Sequence, residues 1–310
     1  MSKAGGTERQ LRYLETSTII AEMNFSDKLA EKVRAKKSCL MLGLDPDRDK
    51  LPKIFHSQAI SWQENGEEPR SVWAKIYTDF CLRMLIACEP YIVGIKIQMA
   101  YFEVLGSHGF LALEHLMKIA KERDMLILID GKRNDIGSTC EAYAKAYLAD
   151  GPLSADSLTV NPFLGSDGVM PFVEACEEHD RGIFVLLRTS NPSSEEFQPG
   201  IEKALVEKMA DWGQSTIGNC GFSSVGAVVG ATKGAQLKAF RKALPHTWFL
   251  APGVGAQGGS VEDVMEVSRD GLGVIIPVSR AVLYASDGED FVERGEGAMK
   301  RLWEEQKGFF

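Results

Sequence analysis

The segment Met125-Leu126-Ile127-Leu128-Ile129-Asp130-Gly131-Lys132-Arg133-Asn134-Asp135-Ile136 passes from a short apolar run directly into charged residues. An apolar run of this length, followed at once by a glycine, is typical of a strand buried in a parallel sheet. Segments with helical periodicity lie on both sides of it. A buried strand followed by a helix is the unit that repeats along the chain.

Seven more runs of this kind occur, each followed by a predicted helix. They are Ser38–Leu44, Ile92–Gln98, Ser157–Val160, Gly182–Leu187, Val225–Val229, Trp248–Ala251 and Gly273–Val278, beside Met125–Asp130. Eight βα units predict an α/β fold of the closed (β/α)8 TIM barrel type. The alternative is an open, doubly wound sheet, but no G-x-G-x-x-G dinucleotide pattern follows the first strand.

The length of 310 residues fits a single barrel domain. We expect this domain at residues 25–310. It should begin with an amphipathic helix, Ser26–Lys36, which is capped by Ser26 and closes the bottom of the barrel. Residues 1–24 are expected to form an N-terminal appendage, and Asp47–Arg70 is expected to be a polar loop over the first strand.

The composition argues against several classes of protein. The formal net charge is −8 and the pI about 5.3, with acidic and basic residues spread along the chain, so no basic face is offered to nucleic acid or to an anionic membrane. No segment approaches the roughly 18 apolar residues of a membrane span, and no signal peptide is evident. The six cysteines form no C-x-x-C pair, which favours reduced thiols. We therefore expect a soluble, cytoplasmic protein.

Charged residues follow or end three adjacent predicted strands, where a TIM barrel carries its active site. They are Asp45 after the first strand, Lys96 in the second, and Asp130 and Lys132 in the third. Residues two apart on a strand share a face, so Asp130 and Lys132 should point the same way. Because desolvation costs each buried ion several kcal/mol, such residues are rarely buried unless paired. The alternative is a ring of ion pairs that only neutralise one another. We favour a catalytic role, because alternating Asp and Lys residues place fixed charge where charge could develop during a reaction.

The pattern Asp130-x-Lys132-x-x-Asp135-Ile136 resembles the D-x-K-x-x-D-I signature of orotidine 5′-monophosphate (OMP) decarboxylases. Sugar-phosphate enzymes of the same superfamily, 3-keto-gulonate-6-phosphate decarboxylase and hexulose-6-phosphate synthase, carry a similar D-x-K-x-x-D and use Mg²⁺. Four further motifs follow predicted strands, as in the OMP decarboxylases with longer chains. They are Leu44-Asp45-Pro46, Arg188-Thr189-Ser190-Asn191-Pro192, Pro252-Gly253-Val254-Gly255-Ala256-Gln257-Gly258-Gly259 and Ser279-Arg280.

This resemblance implies decarboxylation of OMP to UMP and CO₂, the last step of de novo pyrimidine nucleotide synthesis, with no cofactor and no metal. The catalytic residues that it implies are Lys96, Asp130, Lys132 and Asp135. The implied substrate-binding residues are Asp45 and Thr139 for the ribose, Ser190 for the pyrimidine, Gln257 and Arg280 for the phosphate, and Ile136, Gly258 and Ser279. The family further implies that Asp135, Ile136 and Thr139 serve the partner's active site, and hence a homodimer with shared sites.

In this interpretation, the Lys132 ammonium stabilises the carbanion left at ring carbon six and then protonates it, while Asp130 and Asp135 hold Lys132 in place. Two alternatives stay open. A Mg²⁺-dependent sugar-phosphate decarboxylase or aldolase would use Asp130 and a second acid as metal ligands, although Lys96 would repel the metal. A barrel that only binds a UMP-like nucleotide would have little reason to bear the desolvation cost of the charged set.

Overall fold

The computed structural model describes residues 23–255 and 258–310. Its strands are β1 Leu40–Leu44, β2 Gly94–Gln98, β3 Leu126–Arg133, β4 Ser157–Val160, β5 Gly182–Arg188, β6 Ser223–Val229, β7 Thr247–Leu250 and β8 Val274–Val278. They form one closed barrel in chain order, in which parallel pairing of β1 with β8 completes the ring. The predicted TIM barrel is confirmed, as is a strand in each predicted run. The predicted appendage lies outside the described residues, apart from residues 23 and 24.

Helices surround this barrel and close its bottom. They are α1 Phe25–Lys36, α2 Lys53–Glu64, α3 Pro69–Cys88, α4 Met99–Glu103, α5 Ser107–Glu122, α6 Gly137–Leu148, α7 Met170–His179, α8 Ser194–Gly213, α9 Gly234–Ala243, α10 Val261–Met265, α11 Arg280–Leu283 and α12 Phe291–Glu305. Short 3₁₀ turns lie at Arg48–Lys50, Glu89–Tyr91, Pro162–Leu164, Ser166–Gly168, Gln214–Thr216 and Lys307–Phe309. Within the described ranges, no helix combines the length and the apolar character that crossing a bilayer requires.

Helix α1 lies at the bottom of the barrel, as predicted, but Ser26 does not cap it. The cap is Asn24, whose side-chain oxygen accepts a hydrogen bond from the Asp27 amide at 3.0 Å. Ser26 is instead buried. Its hydroxyl donates to the Phe222 carbonyl oxygen at 2.7 Å and accepts from the Trp248 indole at 3.0 Å. The serine that looked like a cap therefore fastens α1 to the starts of β6 and β7.

The expectation of a polar loop at Asp47–Arg70 is wrong. This segment contains α2 and the start of α3, and the residues that decide this are Phe55 and Ala59, which lie one helical turn apart and are both buried. The Phe55 ring packs edge-on against Phe80 at 5.7 Å and against Phe291 at 5.5 Å between ring centroids. A single apolar face is enough to fold a segment whose other positions are mostly polar.

The alternation of β2 aims its lysine at the barrel interior. Ile95 and Ile97 are both fully buried, and successive side chains of a strand point to opposite faces. With the two isoleucines packed toward the helices, Lys96 between them points into the barrel. The fold thus brings an ammonium group into the interior of the barrel.

Candidate active site

Three charged side chains meet near the carboxyl ends of β2 and β3. Lys96 Nζ donates a hydrogen bond to Asp130 Oδ2 at 2.9 Å, and Lys132 Nζ donates to Oδ1 of the same carboxylate at 2.5 Å. Lys96 and Asp130 are only 6% and 9% exposed, whereas the Lys132 side chain is 45% exposed. Asp130 therefore joins one buried ammonium to one that a ligand can reach.

Asp45, directly after β1, adds a fourth charge. Its Oδ1 lies 3.7 Å from Lys96 Nζ. The charges follow one another in the order Asp45, Lys96, Asp130 and Lys132. Gln98 Nε2 also donates to Asp130 Oδ2, at 3.3 Å. Because the signs alternate, each buried ion has an opposite charge beside it, which offsets part of its desolvation cost.

This pairing fixes the protonation states of the two buried ions. Burial by itself would lower the pKa of Lys96, but the carboxylates of Asp45 and Asp130 outweigh it and hold that pKa above its ordinary value. Burial would likewise raise the pKa of Asp130, but the ammonium groups of Lys96 and Lys132 hold that pKa well below its usual range. Both groups are therefore ionised at neutral pH, and the field that they create is in place before a ligand binds.

The end of β3 departs from regular strand geometry. Its register with β4 shifts between Ile129 and Arg133, and Lys132 has a left-handed backbone with φ of 46°, which non-glycine residues rarely adopt. Asp130 and Lys132 do lie together, as the sequence predicts. They meet through an irregular backbone rather than through the strand alternation on which that prediction was based.

A cleft crosses the mouth of the barrel above these charges. One arm is a cavity of about 240 Å³, bordered by Lys96, Asp130, Lys132, Thr159, Thr189, Ser190, Asn191, Val228, Leu250 and Pro252. The other arm is a cavity of about 200 Å³, bordered by Asp45, Lys96, Gln98, Asp130, Pro252, Gly253, Val254, Pro277, Ser279, Arg280 and Ala281. Both arms contain Lys96 and Asp130. The charged set therefore lies where the two halves of an elongated ligand would join.

The second arm has the character of an anion site. Arg280 is exposed at the start of α11, and the Ser279 hydroxyl is buried without a hydrogen-bond partner among the described residues. Glycines with positive φ shape the turn after β7, among them Gly258 at 85°. The amide of Gly258, a predicted substrate-binding residue, donates to the Gly255 carbonyl oxygen at 3.0 Å and is thus engaged within the turn. The predicted residue Gln257 lies outside the described residues.

Ser190 borders the first arm on a loop that is fastened from two sides. The Arg188 guanidinium, 1% exposed, donates to Glu195 Oε2 at 2.5 Å, and the Thr189 amide donates to Gln198 Oε1 at 2.8 Å. At Gly230 a Cβ would lie 2.9 Å from the Cβ of Ser190, so only glycine allows the loop to pack this closely. The side chains of α8 thus hold the serine at the cleft.

Asp135, Ile136 and Thr139 do not reach the cleft of their own chain. Asp135 Oδ1 accepts a hydrogen bond from the Ile136 amide at 2.8 Å, and within the described part of the chain it forms no ion pair with Lys132. Ile136 is 53% exposed, and Thr139 is exposed on the first turn of α6. Neither cavity is bordered by any of the three. A single chain therefore does not use Asp135 to hold Lys132.

Sequence reasoning missed several residues of the cleft and its supports. Thr159 and Gln98 both bond to Asp130, and the Tyr284 hydroxyl bonds to the backbone at Asp45. Thr159 left a signal, because Ser157 and Thr159 alternate with apolar residues and so mark a polar face on β4. No sequence pattern indicates the role of Tyr284, because its partner is distant in the sequence.

The cysteines of the chain border neither arm of the cleft. All six cysteines are free thiols, and all but Cys220 are buried, in line with the sequence-based expectation. Among the described residues, no group of three or more His, Cys, Asp or Glu side chains is arranged to hold a metal ion.

Comparisons with known proteins show which family this chain resembles. A model of the family described as "Orotidine 5'-phosphate decarboxylase / HUMPS family" matches residues 38–294. The orotidine 5′-phosphate decarboxylase of Caldicellulosiruptor bescii is 38% identical over 278 residues, which cover 85% of this chain and 90% of that protein. The one from Rhodopirellula baltica is 37% identical over 281 residues, covering 87% and 91%.

A solved structure extends the likeness to three dimensions. The structure of Leishmania donovani OMP decarboxylase superposes with a TM-score of 0.72 at 30% sequence identity, covering 93% of this chain and 99% of that one. The family match spans the strands that carry all four charges, from β1 through β3. The chain belongs to the orotidine 5′-phosphate decarboxylase / HUMPS family.

Proposed function

We propose that this chain decarboxylates OMP to UMP and CO₂, with its own ionised side chains supplying the catalysis. The strongest support is the Lys132 ammonium, which lies 2.5 Å from a carboxylate that a second, buried lysine keeps ionised. The relatives of comparable length named above are OMP decarboxylases. The buried Lys96 and these relatives favour this member of the family over its sugar-phosphate enzymes, which share the Asp130 and Lys132 pattern.

The reaction needs a localised positive charge. When the bond between ring carbon six and the carboxylate breaks, CO₂ leaves and the electron pair stays on carbon six, in an orbital that does not overlap the π system. A nearby ammonium lowers the energy of that carbanion by electrostatic attraction. Lys132 then transfers one N–H proton to carbon six, which completes UMP and leaves a neutral amine. Because Lys132 is the exposed lysine of the set, water can return the proton.

Asp130 has two roles in this scheme. It holds Lys132 by a direct hydrogen bond, and Lys96 keeps it ionised from the other side. Its negative charge beside the substrate carboxylate also raises the energy of bound OMP, and the departure of neutral CO₂ relieves that repulsion. We give carbanion stabilisation the larger weight, because Asp130 is itself neutralised by two lysines.

The two arms of the cleft match the two ends of OMP. We assign the pyrimidine to the arm bordered by Ser190, whose hydroxyl would bond to the ring edge. We assign the phosphate to the arm of Ser279 and Arg280, because a guanidinium fork suits a phosphate dianion. The resemblance to the family adds Gln257 and Gly258 to this assignment, and Gly258 would contribute only if its amide leaves its bond to the Gly255 carbonyl oxygen. Asp45 borders the second arm beside Lys96, and we assign it to a ribose hydroxyl. Its Oδ1 has no hydrogen-bond partner among the described residues.

We also propose that the active enzyme is a homodimer with shared sites. Asp135 offers a carboxylate that Lys132 of its own chain does not use, and Thr139 offers an exposed hydroxyl on the same face. Apolar side chains accompany them, since Ile136 is 53% exposed and Phe163 is 81% exposed. A second copy would bury these side chains and bring Asp135, Ile136 and Thr139 to its own cleft. We place this dimer in the cytoplasm, where buried free thiols stay reduced.

Two other functions predict different behaviour. A Mg²⁺-dependent sugar-phosphate decarboxylase or aldolase would need a cation beside Asp130, in the space that Lys96 and Lys132 occupy. A nucleotide-binding barrel without activity would bind UMP and leave OMP unchanged. The charge alternation from Asp45 to Lys132 favours decarboxylation over both, because it provides a preset field at the junction of the arms.

The deciding experiment follows the ultraviolet absorbance of OMP with purified protein and excess EDTA. Wild type is compared with Lys132→Ala and with Lys118→Ala, a control lysine whose side chain is 74% exposed on α5. We expect wild type and Lys118→Ala to consume OMP and Lys132→Ala to spare it. If wild type is inert until Mg²⁺ and a sugar phosphate are supplied, the sugar-phosphate function replaces this proposal. Binding of UMP without turnover of OMP would identify a non-catalytic binder.

A further inference from the structure

The hydroxyl of Thr159 connects two parts of the charged set that no motif in the sequence connects. Thr159 lies on β4 and is 1% exposed. Its Oγ1 accepts a hydrogen bond from the Lys132 amide at 2.9 Å and donates one to Asp130 Oδ1 at 3.0 Å. A single side chain thus contacts both the backbone of one residue and the carboxylate that pairs with its ammonium.

The backbone of Lys132 requires such a contact. Its φ of 46° is a left-handed conformation, which a residue with a Cβ keeps only where the surroundings hold it. Two bonds hold it here. The Lys132 amide is fixed by Thr159, and the carbonyl oxygen of Gly131 accepts from Arg133 Nη1 at 3.1 Å.

The direction of the Thr159 bonds also limits where the ammonium can lie. A hydroxyl has one proton, and because an amide can only donate, the Thr159 proton is left to point at Asp130. Asp130 Oδ1 then receives two donors, the hydroxyl at 3.0 Å and Lys132 Nζ at 2.5 Å. Since the hydroxyl occupies one lone-pair direction, the ammonium is confined to the other.

We propose that Thr159 is a positioning residue for decarboxylation, whose hydroxyl fixes the Lys132 ammonium relative to Asp130 at the distance and angle that the reaction requires. This inference rests on the proposed function. Although Thr159 borders the first arm, both bonds of its hydroxyl go to Lys132 and Asp130, so it acts through them rather than on the substrate. Its removal should therefore slow the chemical step and leave ligand binding nearly unchanged.

The same strand supplies a matched control. Ser157 is also 1% exposed and lies on the same face of β4, two residues before Thr159. Its hydroxyl has no hydrogen-bond partner among the described residues. Removing this hydroxyl tests what the loss of any buried hydroxyl from β4 does to the enzyme.

The experiment compares Thr159→Val, which keeps the shape but loses the hydroxyl, with Thr159→Ser, which keeps the hydroxyl, and with Ser157→Ala. For each protein, kcat and KM for OMP, the Kd for UMP and the hydrogen–deuterium exchange of the Lys132 amide are measured. We expect Thr159→Val to lose about tenfold to a hundredfold in kcat. Its KM and Kd should change by less than about threefold, and its Lys132 amide should exchange faster. Thr159→Ser and Ser157→Ala should stay within about threefold of wild type in kcat.

Each other result overturns the inference. A Thr159→Val enzyme with wild-type kcat or an unchanged Lys132 exchange rate would show that the hydroxyl positions nothing. Equal losses in Thr159→Ser or Ser157→Ala would show a general packing effect. If Thr159→Val does not fold, Thr159→Ala takes its place and the same outcomes apply. Failure of wild type to consume OMP would reject the proposed function, while amide exchange would still test the contact between Thr159 and Lys132.

Discussion

The phenolic hydroxyl of Tyr284 closes the turn that carries Asp45. It donates a hydrogen bond to the Asp45 carbonyl oxygen at 2.6 Å and accepts one from the Asp47 amide at 2.6 Å. Burial raises the pKa of Tyr284 far above its ordinary value, so the hydroxyl remains a donor at any physiological pH. Because Tyr284 directly follows α11, which begins at Arg280, one side chain connects the turn after β1 with the segment after β8.

The substitution Tyr284→Phe should therefore make the turn that carries Asp45 less rigid. The ring keeps its stacking on Phe80, but a partly buried amide and a partly buried carbonyl lose their partner, which costs about 1–3 kcal/mol in the free energy of unfolding. We expect KM for OMP to rise by roughly threefold to tenfold, because Asp45 is the proposed ribose contact. Urea denaturation and steady-state kinetics measure the two effects.

The control for this prediction is Tyr91→Phe. The Tyr91 hydroxyl bonds to the Glu296 carboxylate at 3.2 Å, away from the cleft, so its loss should leave KM unchanged. An unchanged KM in Tyr284→Phe as well would mean that the turn holds Asp45 without help from the tyrosine.

The ion pairs of Asp130 predict a specific dependence of stability on pH. The pKa of Asp130 in the folded protein lies below its value near 4 in the unfolded chain. The contribution of Asp130 to the free energy of unfolding is therefore complete above about pH 4 and is lost as the pH falls. The pKa of Lys96 is raised in the folded protein instead. The contribution of Lys96 to the free energy of unfolding is therefore complete below about pH 10 and is lost as the pH rises above that value. Asp130→Asn removes the charge that links the two lysines and should cost about 3–5 kcal/mol at neutral pH.

We therefore expect the difference in unfolding free energy between wild type and Asp130→Asn to be constant from about pH 5 to pH 9. It should shrink below about pH 4 and again above about pH 10. Chemical denaturation at a series of pH values measures this, with Asp79→Asn, which breaks an exposed pair with Arg83, as the control. A difference that stays constant down to pH 2 would contradict the depressed pKa of Asp130.

The parts of the site that the sequence predicted are those that depend on local pattern. Lys96 could be placed because the isoleucines on either side of it define which face of β2 is apolar. Asp130 and Lys132 could be placed because they end a strand at the mouth of a barrel. The barrel itself follows from eight repeats of one short-range unit, so its prediction needed no knowledge of distant contacts.

The parts that were missed depend on contacts between distant segments or on irregular backbone. Tyr284 and Asp45 are separated by 239 residues, and nothing near either residue indicates their pairing. The bond between Thr159 and Lys132 exists because the register of β3 against β4 shifts, and a regular strand would have placed these groups differently. Ser26 could cap a helix by its chemistry, but its hydroxyl instead forms tertiary hydrogen bonds with Phe222 and Trp248.

A third prediction concerns Arg188, whose buried guanidinium holds the loop of Ser190. It pairs with Glu195, which also binds Lys233 at 2.7 Å, so the loops after β5 and β6 are joined. Arg188→Lys keeps the charge but loses the planar fork. We expect the Kd for UMP to rise by roughly threefold to tenfold, because the pyrimidine contact moves.

Calorimetric titration with UMP measures this change. Arg83→Lys, which alters an exposed pair on α3, serves as the control and should bind UMP like wild type. If Arg188→Lys also binds UMP like wild type, the position of Ser190 does not depend on the guanidinium.

The location of Asp135 leads to the last prediction. In the proposed dimer each active site takes Lys132 from one chain and Asp135 from the other, so Lys132→Ala and Asp135→Ala should each abolish most activity alone. In a mixed dimer of the two variants, one site contains both substitutions and the other contains neither. Co-expression in equal amounts makes about half of the dimers mixed, and about a quarter of the wild-type activity should return. Tags of different size let sedimentation distinguish the mixed dimer from the two unmixed dimers and so verify that it forms. Mixed dimers without recovered activity would assign Asp135 to the active site of its own chain.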